Sequence, residues 1–544
     1  LREKMKNRNV LFIMADQLRW DYLSCYGHPH LKTPNIDWLA SKGVKFNNAY
    51  VQSPFCGPSR MSTYTGRYCR SHGSTWNGFP LKVGERTIGD HLREENVRAV
   101  IIGKTHMKPD TEGMKWLGIE QNSTIGIHLS ECGFEPFERD DGLHPKSPYD
   151  PNPPYNDFLR GKGYNVENPW DDHANSGLND DGERLSGWLL KNSDLPADIE
   201  EQLSETPYMT QRAIDFMKHA GDQPWLCHLS YIKPHWPYIV PAPYHNMYSK
   251  EHILPAVRSE QEKETNHPVY GAYLKSRICQ TFARDDVRER VIPAYMGLIK
   301  QIDDQLGVLF NWMKEAKLFD NTMIVFTSDH GDYLGDHWMG EKDLFHDQSV
   351  KVPLIIYDPR KEAKNSQGKE SSHLVECIDL APTFLDFFNI KEKPHILEGR
   401  GLKEILHSNE DPSDWREYAI SEYDYSTRQA RHIIGNKPDE AQLFMIRDSR
   451  WKYIFAEGFR PMLFDLEVDP KELHDLGESE QEIHLKAKKR LYDSLFEWAR
   501  KHHSRTTVTN EEIEKRTGKE PPGVIIGVWD EEEHQILFGE NQKK

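Results

Sequence analysis

The chain has 544 residues, with 86 Asp and Glu against 69 Lys and Arg, which gives a formal net charge of −17. This acidic balance argues against nucleic acid or an anionic membrane as a partner, because both repel a negatively charged surface. Hydrophobic residues make up 37% of the composition, which excludes a disordered chain, and the length exceeds what one hydrophobic core usually supports, so two domains are expected.

Five short apolar runs are typical of strands that are buried on both faces. They occupy residues 9–14, 99–102, 225–229, 323–326 and 353–357. Between the third and fourth runs, apolar residues recur at helical spacing from Tyr295 to Met313 and predict one face of a helix. This alternation predicts an α/β fold, a large mixed, mostly parallel sheet sandwiched by helices. In such sheets, ligands bind beyond the carboxyl ends of the strands.

The predicted domains are a catalytic α/β domain over residues 1–388 and a smaller C-terminal subdomain over residues 389–544. Within the first, residues 138–192 are rich in Pro, Asn, Asp and Gly. We expect them to form a loop-rich insertion with little regular structure, which shapes one wall of the site. A helix over residues 378–385 is expected to close the catalytic domain.

The C-terminal subdomain is predicted to be α+β, with short strands of an antiparallel sheet within residues 418–423 and 443–455. Residues 483–498 have the spacing of an amphipathic helix. Apolar residues within 524–529 and 536–538 lie among acids. An apolar tail of this kind docks either on a neighbouring subunit, which would make the protein a homo-oligomer (dimer or tetramer), or on its own domain.

No stretch of the sequence approaches the roughly 18 apolar residues that a membrane span requires. The run from Val10 to Ala15 is too short for a signal peptide and has no small-residue cleavage site after it. We therefore predict a cytoplasmic protein with no membrane partner. The seven cysteines form no Cys-x-x-Cys pair, and the six besides Cys56 are predicted to be reduced core thiols.

The most specific motif in the chain begins at Cys56. It reads Cys-x-Pro-Ser-Arg over residues 56–60, followed after four residues by Thr-Gly-Arg over residues 65–67. An ordinary helix that starts with a first-turn proline and a small buried cysteine is the alternative interpretation. The full run resembles the signature at which type I sulfatases and related phosphonate monoester hydrolases, of the alkaline phosphatase superfamily, have a cysteine oxidised to formylglycine. The resemblance implies the same conversion of Cys56.

Two strand ends carry adjacent donors for a metal ion. Asp16 and Gln17 follow the first predicted strand, and Asp329 and His330 follow the strand over residues 323–326. Together with an oxygen of residue 56, these side chains could hold one hard divalent cation, although an Asp at a strand end also often caps the next helix. The family resemblance implies that these four residues and residue 56 are the metal ligands. Their oxygens favour Ca²⁺, and His330 permits Mn²⁺ as the alternative.

Several cations and polar groups are candidates for binding an oxyanion. Arg60 lies one helical turn after Cys56, and the helix that follows Cys56 presents its positive end to an anion. Lys104 and His106 follow the strand over residues 99–102. By the resemblance, both contact the sulfate group. Each of these side chains, taken alone, could instead be an ordinary surface charge or a structural hydrogen-bonding group.

Three further residues match positions of the same family. The resemblance implies that His235 touches the leaving group, that Lys342 bridges nucleophile and substrate, and that Asn77 contacts the substrate as in the phosphonate hydrolases. His337 and His346 lie near Lys342 in the sequence and are expected to line the same pocket. The sequence gives them no role.

The resemblance implies a metal-dependent hydrolase that cleaves small anionic sulfate monoesters through formylglycine 56, with Asp329 as the proton acceptor and His235 or His106 protonating the leaving group. Maturation would need a separate formylglycine-generating enzyme. Hydrolysis of phosphonate monoesters or phosphodiesters is the main alternative. An anion-binding protein with unconverted Cys56 is another, and a two-metal phosphatase would need a second ligand set that the sequence does not provide.

Overall fold

The computed structural model describes residues 8–142, 153–264, 267–410, 412–501, 505–517 and 530–538. Within these ranges, ten strands precede residue 380. They are β1 (Asn9–Asp16), β2 (Val44–Tyr50), β3 (Arg98–Gly103), β4 (Glu135–Arg139), β5 (Ser176–Leu178), β6 (Arg184–Ser186), β7 (Trp225–Pro234), β8 (Thr322–Ser328), β9 (Lys351–Tyr357) and β10 (Lys369–Glu376). Strands β5 and β6 pair as a separate hairpin, and the other eight form one sheet.

The main sheet is mixed and mostly parallel, as predicted. Its order is β10-β2-β9-β8-β1-β7-β3-β4, and only β9 runs against both of its neighbours. All five predicted strands are confirmed, and each is longer than its apolar run. The sequence analysis did not identify β2, β4 and β10, in which polar residues interrupt the apolar pattern.

Helices cover both faces of the sheet. Alternate residues of β1 accordingly point into two different clusters of buried apolar residues. Val10 and Phe12 belong to one cluster, and Leu11 and Ile13 belong to the other. The second cluster contains the predicted apolar face from Tyr295 to Met313, on a helix of 31 residues. The sheet is therefore buried on both sides, which explains the continuous apolar character of its central strands.

The α-helices of the first 390 residues are Pro34–Lys42, Cys56–Thr65, Cys69–His72, Ile88–Glu94, Thr111–Trp116, Thr124–Ser130, Pro154–Gly161, Glu205–His219, Gln261–Glu264, Pro268–Leu274, Arg277–Phe282, Asp285–Glu315, Asp347–Val350 and Leu380–Phe387. The last of these confirms the helix predicted near residue 380. The described part of the insertion has more regular structure than predicted, since it contains the helix Pro154–Gly161 and the β5–β6 hairpin. Buried Tyr155 and Trp170 anchor it to the core.

The C-terminal part contains an antiparallel sheet of four strands, as predicted. These are β11 (Ala419–Asp424), β12 (Gln442–Arg447), β13 (Trp451–Ala456) and β14 (Met462–Asp465), in that order. Its helices are Lys403–Leu406, Gln429–Ile434, Glu482–Lys501, Asn510–Arg516 and Glu531–Phe538. The range 443–455 contains two strands, β12 and β13, joined by a tight turn.

The two sheets share a hydrophobic core. Leu443 and Met445 of β12 belong to the same buried cluster as Val10 and Phe12 of β1. The domain boundary at residue 388 therefore stays a prediction, although the change from one sheet to the other falls between residues 376 and 419. The tail residues 524–529 lie outside the described residues, and Ile536 is exposed, so the docking of the tail also stays a prediction.

No helix within the described residues is long and apolar enough to span a membrane. All seven cysteines are free thiols; Cys25 is half-buried and the others are buried. These cysteines include the six that the sequence predicted as reduced.

Candidate active site

Four adjacent parallel strands deliver polar side chains to one edge of the main sheet. Asp16 is the last residue of β1, Asp329 follows β8, His235 follows β7 and Lys104 follows β3. These strands are neighbours in the order β8-β1-β7-β3, so their carboxyl ends converge. The site therefore lies where an α/β sheet usually binds its ligand.

Cys56 begins the helix Cys56–Thr65, whose ten residues are all buried. Its Sγ lies 3.0 Å from Nε2 of His330 and 3.2 Å from Nζ of Lys342. The backbone N–H of Gly57 donates to Oδ1 of Asn77 at 2.7 Å. A Cβ atom at residue 57 would lie 2.7 Å from the same oxygen. Glycine therefore lets Asn77 approach the first turn of the helix closely.

A candidate metal centre surrounds Cys56. One donor atom from each of four buried residues lies within 4.8 Å of the others, and these residues are Asp16, Cys56, Asp329 and His330. Two carboxylates, an imidazole and the group at position 56 are a donor set that suits a divalent cation. The structure therefore brings together four of the five predicted ligands.

Gln17, the fifth predicted ligand, faces the same centre. Its Oε1 accepts a hydrogen bond from Nζ of Lys342 at 3.0 Å. Its Nε2 donates to Oδ2 of Asp332 at 2.5 Å and to the hydroxyl of Tyr238 at 3.1 Å. These two acceptors fix the amide so that its oxygen, and not its nitrogen, points to Lys342. The sequence analysis did not identify Asp332, which lies two residues after His330 in the same loop.

Arg60, one of the predicted oxyanion-binding cations, is directed at the two carboxylates of the candidate metal centre. Its Nε donates to Asp329 at 2.7 Å, and its Nη2 donates to Asp16 at 3.1 Å. Its Nη1 donates to the backbone oxygen of Lys104 and to Oγ of Ser230. The fully buried guanidinium therefore holds the carboxylates and the end of β3 in place.

Lys104 and His106 both line the cavity in front of Cys56. Nζ of Lys104 lies 2.5 Å from Oδ2 of Asp16. The turn that carries them requires Gly103, where φ is +101° and a Cβ atom would lie 2.0 Å from the backbone oxygen of Ser230. Asp141 holds the same turn, because its Oδ1 accepts the backbone N–H of His106 at 3.1 Å.

Lys342 and His235 form a contact beside Cys56. Nδ1 of His235 donates to the backbone oxygen of Trp236 at 2.8 Å. Nε2 of His235 then accepts from Nζ of Lys342 at 3.3 Å. Burial, with Lys342 adding to it, lowers the pKa of His235 to about 3. In this arrangement Lys342 holds the proton of the pair, and the role of His235 as an acid stays a prediction.

The electrostatic environment favours an anion at position 56. Burial opposes ionisation of the Cys56 thiol, but the charges of Lys342, Lys104 and His330 outweigh it. They hold the pKa of Cys56 well below its ordinary value. The position therefore stabilises the negative charge that a nucleophilic oxygen there would carry.

The cavity in front of Cys56 has a volume of about 400 Å³. Of the predicted substrate-contacting residues, it brings together Asn77, Lys104, His106, His235 and Lys342. The aromatic part of its lining consists of Phe55, Trp170, Trp188 and Trp236. The sequence analysis named none of these residues as a site residue, but Trp170 and Trp188 belong to the insertion that it expected to shape one wall of the site. It also did not identify Arg428, which reaches the cavity from the C-terminal part of the chain. Phe55 and Trp236 adjoin Cys56 and His235 in the sequence; Arg428 has no such signal.

His337 and His346 are not among the residues that line this cavity, contrary to expectation. Their rings stack at 3.9 Å with an interplanar angle of 18°, and Nδ1 of His337 contacts Oε1 of Glu262 at 2.7 Å. These three residues form a second group of close donors. Nearly parallel rings cannot both aim a lone pair at one ion, and the group shares no residue with the first. The described residues thus give no shared-ligand centre for two metal ions.

Comparison with protein families agrees with this site. The family model described as Sulfatase matches residues 8–390. A second model, described as N-sulphoglucosamine sulphohydrolase, C-terminal, matches residues 335–501. The second match includes the antiparallel sheet of the C-terminal part.

The similar proteins include both a sulfatase and a phosphonate monoester hydrolase. The multifunctional alkaline phosphatase superfamily protein PehA of Trinickia caryophylli is 30% identical, over 87% of this chain and 92% of its own length. An arylsulfatase of Clostridium perfringens is 29% identical, over 87% and 91%. Among solved structures, a phosphonate monoester hydrolase from Silicibacter pomeroyi aligns with a TM-score of 0.80 and 28% identity, over 93% of this chain and 98% of that one.

Proposed function

The chain belongs to the sulfatase family and is a hydrolase of sulfate or phosphonate esters, and from this premise we propose that it cleaves sulfate monoesters. The nucleophile in this proposal is residue 56 after conversion of Cys56 to formylglycine. The observation that carries the proposal is the position of Cys56 Sγ, 3.2 Å from Lys342 Nζ and within the group of metal donors. The sulfur marks where the oxygens of the converted side chain would lie.

The family implies a divalent metal ion, and the donor set around Cys56 fits one. Asp16, Gln17, Asp329, His330 and residue 56 would hold the ion, which we propose to be Ca²⁺, with Mn²⁺ as the alternative. When bound, such an ion supplies positive charge that lowers the pKa of a hydroxyl and polarises the ester. Arg60 supports the ion indirectly, since it orients both carboxylates.

The other residues of the cavity act on the ester and on protons. Lys342 and Lys104 offer ammonium groups to the charge that develops on the ester oxygens. Lys342 also has a proton that it shares with Nε2 of His235, so this pair is placed to protonate the departing oxygen. His106 lines the same cavity, and its buried Nδ1 has no hydrogen-bond partner among the described residues. It is therefore available as a second proton carrier.

Different observations favour the sulfate and the phosphonate alternatives. Lys104 and His106 favour sulfate, because the resemblance to sulfatases places this pair on the sulfate group. The resemblance implies an Asp-Gln pair such as Asp16-Gln17 in phosphonate hydrolases and also in choline sulfatases. Together with Asn77 and the similarity to a phosphonate monoester hydrolase, the pair favours phosphonate monoesters or phosphodiesters. One enzyme acting on both ester types is compatible with the same cavity. The further proposals of a homo-oligomer and of a separate maturation enzyme rest on the apolar tail and on the Cys56 motif.

The test is a comparison of kcat/KM on an aryl sulfate, an aryl phosphonate monoester and an aryl phosphodiester. Mass spectrometry of the peptide that contains Cys56 first establishes the converted fraction. The proposal predicts the highest kcat/KM on the sulfate, activity in proportion to conversion, and none in a Cys56→Ala control. Preferred turnover of the phosphonate or the diester would establish the alternative. Binding of the esters without turnover by an unconverted protein would support the anion-binding interpretation.

A further inference from the structure

Arg428 is a cation of the active-site cavity that lies outside every motif of the sequence. It immediately precedes the helix Gln429–Ile434 and lines the same cavity as Cys56. The cavity residues that bear on the ester come from the edge of the main sheet and the loops beside it, whereas Arg428 comes from the C-terminal part. It therefore has a position of its own, apart from the strand ends.

Three contacts fix the guanidinium group of Arg428. Its central carbon lies 4.9 Å from the ring centroid of Phe55 and 5.1 Å from that of Trp76. Its Nε and Nη2 donate to Oδ1 of Asp343 at 3.1 and 2.6 Å. A guanidinium held by two aromatic rings and a carboxylate loses little freedom when it binds a further group.

Each anchor of Arg428 is next in the sequence to a residue of the active site. The residues that follow Phe55 and Trp76, and the residue before Asp343, are Cys56, Asn77 and Lys342. The same three segments therefore hold the nucleophile position and Arg428. This arrangement holds the guanidinium at a fixed position relative to the residues that bind the ester. Recognition of a substrate with two anionic groups requires such a fixed spacing.

Arg428 keeps hydrogen-bond capacity after these contacts. A guanidinium has five N–H donors, and Asp343 accepts from Nε and Nη2 only. The hydroxyl of Tyr423 donates to the same carboxylate oxygen at 2.6 Å. Nη1 of Arg428 has no hydrogen-bond partner among the described residues, and the side chain is 24% exposed. The side chain of Arg428 lines the cavity, so a bound group can reach it from there.

We propose that Arg428 binds a second anionic group on the leaving group of the substrate. This inference rests on the proposed function and adds to it the substrate class, esters whose organic part carries a carboxylate, a second sulfate or a phosphate. Arginine suits this role because its planar donors match two oxygens of such groups. The aromatic lining of the cavity contacts the carbon skeleton between the two anions.

The experiment compares 4-nitrophenyl sulfate with 2-carboxy-4-nitrophenyl sulfate and uses the ratio of their kcat/KM values. In the wild-type enzyme we expect the carboxylated ester to be preferred by about tenfold or more, the size of a hydrogen bond to a charged group. In Arg428→Gln the ratio is expected to fall by about tenfold or more, because the hydrogen bonds to the carboxylate are lost. The ratio cancels any general loss of activity, and Arg428→Lys, which retains the charge, is expected to lie between the two.

Arg450→Gln is the matched control, because it removes one guanidinium from an ion pair with Asp465 that is not part of the cavity lining. Its ratio should equal that of the wild type. The proposal is overturned if the wild type shows no preference for the carboxylated ester, or if Arg428→Gln retains that preference. If only phosphonate esters are hydrolysed, the proposed function fails. The same pair of leaving groups on phosphonates then tests Arg428 separately.

Discussion

Asp332→Asn is expected to weaken metal binding without changing any proposed ligand. The Asp332 carboxylate accepts from three donors. Oδ1 accepts the backbone N–H of Leu334 at 3.0 Å, and Oδ2 accepts from Nε2 of Gln17 at 2.5 Å and from the hydroxyl of Tyr238 at 2.6 Å. An asparagine has one oxygen for these three donors, so its NH₂ group must face another donor. Rotation of the Gln17 amide relieves this conflict but turns its NH₂ towards Lys342 and the metal position.

The magnitude follows from the loss of one oriented ligand. Substitutions of residues that orient metal ligands typically lower metal affinity by about 10- to 100-fold, or roughly 1.4–2.7 kcal/mol. Tyr238→Phe is the control. It removes one donor to Asp332 and the longer, neutral hydrogen bond of the Gln17 amide, but it leaves the Asp332 carboxylate in place as the acceptor for Gln17. Its affinity should stay within about threefold of the wild type, the cost of one neutral hydrogen bond.

The assay is a chelator competition with Ca²⁺ and with Mn²⁺ on protein whose Cys56 conversion is known. Turnover of Asp332→Asn should recover in part at saturating metal, because the substituted residue does not touch the substrate. An affinity within about twofold of the wild type would refute the argument that Asp332 orients Gln17.

Two further predictions concern stability. Gly103→Ala should lower the free energy of unfolding by about 1–3 kcal/mol more than Gly163→Ala. Both glycines have a φ of +101°, but only at Gly103 would the new Cβ atom meet a backbone atom, at 2.0 Å. Equal losses in denaturant titrations would contradict this prediction. Burial raises the pKa of Glu422 to about 8 from an ordinary 4.5. Between these two pH values the folded chain keeps a proton that the unfolded chain releases. The free energy of unfolding therefore falls as pH rises, by at most about 1.4 kcal/mol per pH unit. Glu422→Gln should flatten that fall between about pH 4.5 and pH 8 in thermal melts. An unchanged slope would show that Glu422 is ionised in the folded protein.

The site residues at the strand ends could be predicted from the sequence, because each of them follows a buried apolar run. Asp16 and Asp329 follow apolar strands directly, and parallel strands must end at one edge. Lys342 required the family resemblance, since it lies in a loop where Glu341 and Asp343 on either side of it have positive φ angles. Arg428 could not be predicted, because its place depends on how the second sheet packs against the first.

The strands of the sheet that could not be predicted are those whose hydrogen-bonded partners lie far away in the chain. Strands β2 and β10 pair in parallel across more than 300 residues of chain, and polar residues interrupt both. The reversed direction of β9 likewise depends on its partners β2 and β8. Its own apolar run predicts a strand but gives no direction. Strand direction is a property of the assembled sheet.

The burial of Cys56 has a consequence for the timing of biosynthesis. The side chain is 1% exposed within a helix that is itself wholly buried, so a modifying enzyme could reach it only before the chain folds. His330, which contacts it, is 274 residues further along. At translation rates of about 5–20 residues per second, that interval takes roughly 14 to 55 s. During that interval the segment around Cys56 has been synthesised while its covering residues do not yet exist. The long separation in the chain would thus give the proposed maturation enzyme time to act.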